Sequence, residues 1–313
     1  MLNLMLKDME TAPQIYRPTN FWSSVLKDVV SVIQGYGIDS FRDESVINHF
    51  VPHYTEAEKK YYIDPVIDYR IFMASDINIP PKLQHISESS IGKPSQHYEL
   101  NGKYYSRSML NYLRGLTYLK KLVDTSKISR VLEIGGGYGT LGEIFLKSDF
   151  NKYFYLNIDI PPVAYVATRY LQAVFGENVI AEYTDTKDLS IIDISVLAES
   201  VNAAVLATWQ IPKIVGEVDL FVNFFSFQEM EPENVKNYAS FVTRCNPKYI
   251  LLRNQRTGKQ VASKSGQLGV MEPTTREHYL KFFDKYNCIG CDSEIFGCVK
   301  DGFESEVMVF QKK

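Results

Sequence analysis

The sequence predicts an α/β protein: a doubly wound, mostly parallel sheet that ends in an antiparallel hairpin, preceded by a mainly helical N-terminal segment. Three observations predict it. An apolar strand, Val131 to Ile134, runs through one acid into glycines and then an apolar-periodic helix, Leu141 to Leu146. From Val131 onward strand-like and helix-like stretches alternate, which is the pattern of a parallel sheet covered on both faces. Near the end, two extended runs flank Lys300-Asp301-Gly302, a hairpin turn signal.

Along the chain, Phe21, Trp22, Val25, Leu26, Val29, Val30 and Ile33 recur at helical spacing and are closed by Gly35 and Gly37. A second helical pattern covers Glu44 to Phe50. An aromatic-rich segment, His53 to Phe72, follows and is broken at Pro80-Pro81. Ser87 to Tyr105 reads as loop, and a long helix from about Ser106 to Val123 leads into the first core strand. A boundary is expected near Pro81 to Gly92, dividing residues 1–91, a helical cap or dimerisation region, from residues 92–313, the sheet domain. Strands are expected at Val131 to Ile134, Tyr153 to Ile158, Ala203 to Thr208, Val218 to Phe224, Tyr249 to Arg253, Cys291 to Val299 and Glu306 to Phe310. The third strand has a competitor in Val179 to Thr184.

Composition narrows the function classes. A chain of 313 residues exceeds a usual single domain, so a core of about 200 residues plus an extra segment is expected. The net charge of −3, with no long Lys/Arg run, argues against a nucleic acid held by its phosphates. No apolar run reaches the roughly 18 residues of a membrane span, and Lys7, Asp8 and Glu10 interrupt what would be a signal peptide, so a cytoplasmic protein is expected. Cys245, Cys288, Cys291 and Cys298 are too few for a disulfide framework, and Cys288-x-x-Cys291 has no second pair to complete a zinc site. No metal-ligand cluster shows, although a carboxylate-held divalent ion would be an alternative to a catalytic base.

The turn after the first strand, Glu133-Ile134-Gly135-Gly136-Gly137-Tyr138-Gly139, is a ligand-binding turn. Glycines let the backbone approach a ligand, and the following helix offers unpaired N–H groups. Two cofactor classes use such a turn. Gly137, Gly139 and Gly142 satisfy the G-x-G-x-x-G of a dinucleotide site in a shifted frame. Glu133 favours the other class, since a buried acid needs a partner, which the ammonium of S-adenosylmethionine supplies and a pyrophosphate does not. Asp159, at the end of the second strand, suits the ribose of either cofactor and also the N-terminus of the helix opened by Pro161 and Pro162.

With E-I-G-G-G-Y-G followed by I-D-I-P-P and N-F-F-S-F-Q-E-M, the sequence resembles the class I S-adenosylmethionine-dependent methyltransferases over roughly Gly92 to Lys313. More narrowly it is similar to the sugar O-methyltransferase family of bacterial surface-polysaccharide clusters. The resemblance implies a Rossmann-like sheet and methyl transfer to a sugar hydroxyl, on a nucleotide-sugar or a surface glycan. Cofactor contacts are then expected from Glu133, Gly135, Gly136, Gly137, Tyr138, Asp159 and Ile160, with Thr208, Trp209 and Asn223 at the ends of the third and fourth strands. If Ala203 to Thr208 is the third strand, Thr208 and Trp209 stand where the family often has an acid for the adenine amino group; Trp209 would stack or serve the core.

In-line attack of oxygen on the methyl needs alignment and a base, because a sugar hydroxyl is hardly ionised near neutrality. Glu229 is the first candidate, although it also suits a helix start, and His278 is the second. Arg253, Arg256 and Lys259 form a short basic cluster suited to a phosphate on an activated sugar. Tyr98, Tyr104 and Tyr105 suit either an acceptor pocket or a homodimer contact. The alternatives are an O-methyltransferase for another small molecule, a non-catalytic S-adenosylmethionine-binding subunit, and an NAD(P)-dependent oxidoreductase.

Overall fold

The computed structural model describes residues 1–43 and 49–313. Most of the helical pattern expected at Glu44 to Phe50 therefore lies outside the described residues. The N-terminal part contributes helices α1 (Leu2–Thr11), α2 (Asn20–Tyr36) and α3 (Pro65–Ser75). The start of α3 is fixed by Asp64, whose carboxylate accepts from the backbone N–H of Val66 and Ile67, with Pro65 at the first helical position.

The stretch read as loop contains a short hairpin, Tyr98–Leu100 paired with Lys103–Tyr105. Its turn is Asn101-Gly102, both with positive φ (54° and 72°), the conformation that Asn-Gly adopts most readily between strands. Helix α4 (Arg107–Leu122) follows, with the Ser106 hydroxyl accepting from the Met109 N–H.

The central sheet holds β1 (Arg130–Ile134), β2 (Phe154–Asp159), β3 (Ile180–Ala181), β4 (Ala203–Ala207), β5 (Leu220–Phe224), β6 (Tyr249–Gln255), β7 (Tyr286–Asp292), β8 (Cys298–Lys300) and β9 (Phe303–Lys312). Their order is β7-β9-β6-β5-β1-β2-β4-β3, with β8 on β9 beside this path. Pairing is parallel from β6 to β3 and antiparallel on both sides of β9.

Helices α5 (Thr140–Ser148), α6 (Pro161–Phe175), α7 (Pro232–Arg244) and α8 (Arg276–Phe282) cover the sheet. Alternate residues of each strand enter different cores: Val131, Tyr155 and Val222 join α4, α5, α6 and the N-terminal Phe21, Phe41 and Phe72, whereas Leu132, Leu156 and Phe221 join α7 and α8. Both faces are thus dry, which explains why β2, β4 and β5 are apolar almost without interruption.

One expectation needs correction, and one open choice is resolved. The run Cys291 to Val299 is not one strand. After β7 the Asp292 carboxylate accepts from the N–H of Ile295 (2.8 Å) and Phe296 (2.6 Å), forcing a turn before β8. Of the two candidates for the third strand, Ala203–Ala207 lies beside β2, while Val179 to Thr184 supplies only the two-residue edge strand β3. Among the described residues no helix is long and apolar enough to cross a membrane.

Candidate functional site

The carboxyl ends of β1, β2, β5 and β6 open onto a cavity of about 310 Å³. That is the edge where open α/β sheets receive ligands. Its floor is the turn between β1 and α5. Gly137 takes φ +58°, which disfavours any side chain, and Gly136 packs so tightly that an added Cβ would meet Glu133 Oε2 at 2.5 Å and Asn157 Oδ1 at 2.6 Å.

Glu133 is fully buried and does not line the cavity. Its partners are two phenols, with Tyr112 donating to Oε1 at 2.7 Å and Tyr155 to Oε2 at 2.5 Å. Burial pushes its carboxyl up to about 7 against the opposing effect of the hydroxyls. The partner that its position demanded is therefore supplied by the chain itself.

Asp159 does line the cavity. Its Oδ2 accepts from Gly137 N–H (3.1 Å) and Oδ1 from Ile160 N–H (2.8 Å). Burial raises this carboxyl to about 8, with Glu133 and Glu229 adding to the effect. Tyr138 shows its ring to the cavity, while its hydroxyl donates to Glu88 (3.0 Å) inside a buried cluster with Arg42 and Ser106.

Glu229, in the short turn that follows β5, is a second buried acid beside the glycine turn; a third, Glu58, lies on the far wall. Lys259 donates to its Oε1 at 2.9 Å and Trp22 Nε1 donates to Oε2 at 3.2 Å. Burial raises its carboxyl above the ordinary range, and Lys259 restrains the shift. The backbone just before is strained: Phe225 has φ +60°, unusual for an aromatic residue, and this carries its ring beneath the Arg253 guanidinium at 5.1 Å.

The other sequence-singled residues are spread around this site. Ile160 and Thr208 wall a smaller cavity that shares Trp22, Gly135, Asp159 and Ser226 with the main one. Trp209 lies off both, its Nε1 donating to the Tyr183 hydroxyl at 3.3 Å. Asn223 is a brace rather than a wall: Nδ2 donates to Ile134 C=O (2.8 Å), and Oδ1 accepts from Phe227 N–H (3.1 Å) and Asn254 Nδ2 (3.0 Å). His278 is not brought to the cavity. It caps its own helix, Nδ1 accepting from Thr275 N–H at 3.1 Å.

Tyr98, Tyr104 and Tyr105 also stand apart from the cavity lining. The basic cluster splits, since Arg253 is buried at the cavity, Lys259 pairs with Glu229, and Arg256 faces Glu304 at the surface.

Sequence reasoning missed the roof. Trp22, His49 and Phe50 come from the N-terminal segment to cover the glycine turn. Burial and the nearby Lys259 lower the His49 pKa, so its imidazole is neutral at pH 7. It missed the far wall as well, where Arg107 grips Glu58 with two bonds of 2.8 Å and Lys300 adds a third at 3.1 Å. No local pattern marks these residues, because they meet only through tertiary packing.

No protein-family model and no curated protein sequence matches the chain. Among solved structures it is similar to the mitomycin 7-O-methyltransferase MmcR, at 12% identity over 92% of this chain and 67% of that one, with a TM-score of 0.43. It is similar also to a SAM-dependent methyltransferase from Leishmania major, at 11% identity, 82% and 90% coverage and a TM-score of 0.44. A third is magnesium protoporphyrin IX methyltransferase (ChlM) from Synechocystis PCC 6803 with bound SAH, at 9% identity, 66% and 86% coverage and a TM-score of 0.41. At scores this low the likeness carries no inference about chemistry.

Proposed function

We propose that the chain transfers a methyl group from S-adenosylmethionine to a hydroxyl of a sugar. The observation that carries this reading is the pair of buried carboxylates, Asp159 and Glu229, on the wall of a cavity floored by glycine backbone. Both are raised by desolvation, so the side of the cavity next to the glycine turn favours a ligand that brings positive charge or hydroxyl donors there rather than a pyrophosphate. A sulfonium nucleoside has both features, with a ribose diol suited to Asp159. Ile160 and Thr208 are the residues offered to its base, and Gly135, Gly136 and Gly137 leave the room a Cβ would fill.

When bound, S-adenosylmethionine supplies an activated methyl whose sulfur departs as a neutral thioether. The protein's own tasks are alignment and removal of one proton from the attacking hydroxyl. Glu229 is suited to the second: desolvation strengthens it as a base, while Lys259 and Trp22 fix both oxygens in place. His49, neutral and on the same roof, is the other group able to take a proton. Phe225 and Phe303 offer aromatic faces to a sugar ring beside the polar Asn111 and Gln228, a mixture that supports a carbohydrate acceptor. On this reading residues 1–91 form a cap over the transfer site.

Isothermal titration with S-adenosylhomocysteine, NAD and NADP tests the cofactor class. Binding of S-adenosylhomocysteine alone, lost in Asp159→Ala, is expected; binding of a nicotinamide cofactor alone would overturn the reading.

A further inference from the structure

The wall of the cavity away from the glycine turn has a charge that the chain leaves unanswered. Arg253 of β6 is 2% exposed and lines the cavity. Among the described residues its guanidinium makes two long hydrogen bonds, Nη1 to Asn111 C=O (3.3 Å) and Nη2 to Gly297 C=O (3.4 Å), besides stacking over the Phe225 ring, and its Nε has no hydrogen-bond partner. The neighbouring carboxylates are already engaged. Asp68 receives Arg114 and the Tyr54 hydroxyl, and Glu58 receives Arg107 and Lys300. Burial, with repulsion from Arg114 that Asp68 only partly offsets, lowers the Arg253 guanidinium to about 9.

A second orphan stands beside it. Ser305 of β9, in register with Gln255 of β6 and Cys298 of β8, is fully buried at the same wall, and among the described residues its hydroxyl has no partner. A buried cation without a carboxylate costs stability, so a chain that keeps one at a cavity wall keeps it for something that arrives.

We propose that the acceptor carries an oxyanion, a carboxylate or a phosphate, that docks on Arg253 and Ser305. This rests on reading the cavity as the methyl-transfer site, and it narrows the acceptor to an acidic sugar or a phosphorylated one. A guanidinium is a planar fork that matches two oxygens of either anion, and a serine hydroxyl donates to a third acceptor position. Arg107 and Lys300 lie on the same wall and make its net charge positive even after Glu58 is counted.

The test is thermal unfolding of the full chain with inorganic phosphate, with glucuronate and with neutral glucose, at matched ionic strength. Wild type should gain melting temperature with phosphate or glucuronate and not with glucose. Response to phosphate alone identifies a phosphorylated acceptor, and response to glucuronate alone a carboxylated one. Apparent affinity should fall about ten-fold or more in Arg253→Met, as expected for lost hydrogen bonds to a charged group, and less in Ser305→Ala. If Arg253→Met does not fold, Arg253→Lys takes its place, since a point charge without the fork also weakens the response. Equal responses in wild type and variants, a response to glucose as strong as to glucuronate, or none to either anion would overturn the proposal. S-adenosylhomocysteine is titrated in parallel: if it fails while the anion response stands, the methyl-transfer reading falls and the anion site remains.

Discussion

Replacing Gly136 by alanine probes the packing under the ligand turn at the one glycine that the E-x-G-x-G-x-G pattern does not require. An added Cβ would lie 2.5 Å from Glu133 Oε2, 2.6 Å from Asn157 Oδ1 and 2.8 Å from the Tyr155 hydroxyl. All three contacts are closer than a methyl tolerates; two are Glu133 Oε2 and the Tyr155 hydroxyl that donates to it, and the third, Asn157 Oδ1, accepts from the Gly136 N–H. Overpacking of this kind costs about 1–3 kcal/mol, and loosening a hydrogen bond to a charged acceptor costs about 1.5–3 kcal/mol more if it is lost outright. Partial relaxation makes about 3 kcal/mol the expected loss, which for a chain of this size corresponds to a drop in melting temperature of roughly 4–6 °C.

Gly137→Ala is the matched comparison: its Cβ meets nothing closer than 3.6 Å, but φ is +58°, so the cost is backbone strain of about 1–2 kcal/mol. Urea and thermal unfolding of both variants give the order directly. Equal stability of Gly136→Ala and wild type would refute the reasoning, because the Glu133 network would then have room it does not show.

Other outcomes are expected from the same site. Asp159 titrates near 8 in the free protein, and a diol donates to its ionised form, so S-adenosylhomocysteine affinity should rise as pH rises through about 7 to 8, with a proton released on binding. Asp159→Asn should flatten that profile in calorimetry run in buffers of different ionisation enthalpy. Asp159 and Glu133 both have folded pKa values above their unfolded ones, so the native state holds more protons and the ligand-free protein should lose stability as pH climbs from about 4 to 8. Glu229→Gln should lower kcat by about 100-fold or more while S-adenosylhomocysteine still binds; if His49→Gln has the larger effect instead, the imidazole is the base. Gly35→Ala, in the last turn of α2 with nothing within 4 Å of the new Cβ, should stabilise by a few tenths of a kcal/mol, up to about 0.5, in urea unfolding.

The sheet was legible because a parallel strand buried on both faces must be apolar almost throughout, and Val131 to Ile134, Ala203 to Ala207 and Leu220 to Phe224 are. The glycine turn and Asp159 were legible because local backbone demands a residue type at a fixed position. Glu133 misled for a physical reason: an acid inside a strand announces that it has a partner, but not that the partner is Tyr112 from a preceding helix and Tyr155 from the next strand. His278 was indistinguishable from a site histidine until its capping bond was seen. The roof and the far wall depend on contacts such as Trp22 with Glu229 and Lys300 with Glu58, separated by about 200 residues or more, which no window of sequence contains.

The cluster beneath Tyr138 has a consequence for how such a chain could be varied. Glu88 is at once the partner of Arg42, of the Tyr138 hydroxyl and of Ser106, so one carboxylate ties the N-terminal segment, the glycine turn and the start of α4 together. Grafting a different N-terminal segment onto this sheet would remove Arg42 and Glu88 together and leave the Tyr138 hydroxyl facing a gap under the turn, and grafting a different turn would take Tyr138 away from both. Lid and floor are one heritable unit, so acceptor range would change by point substitution at the walls rather than by exchange of modules.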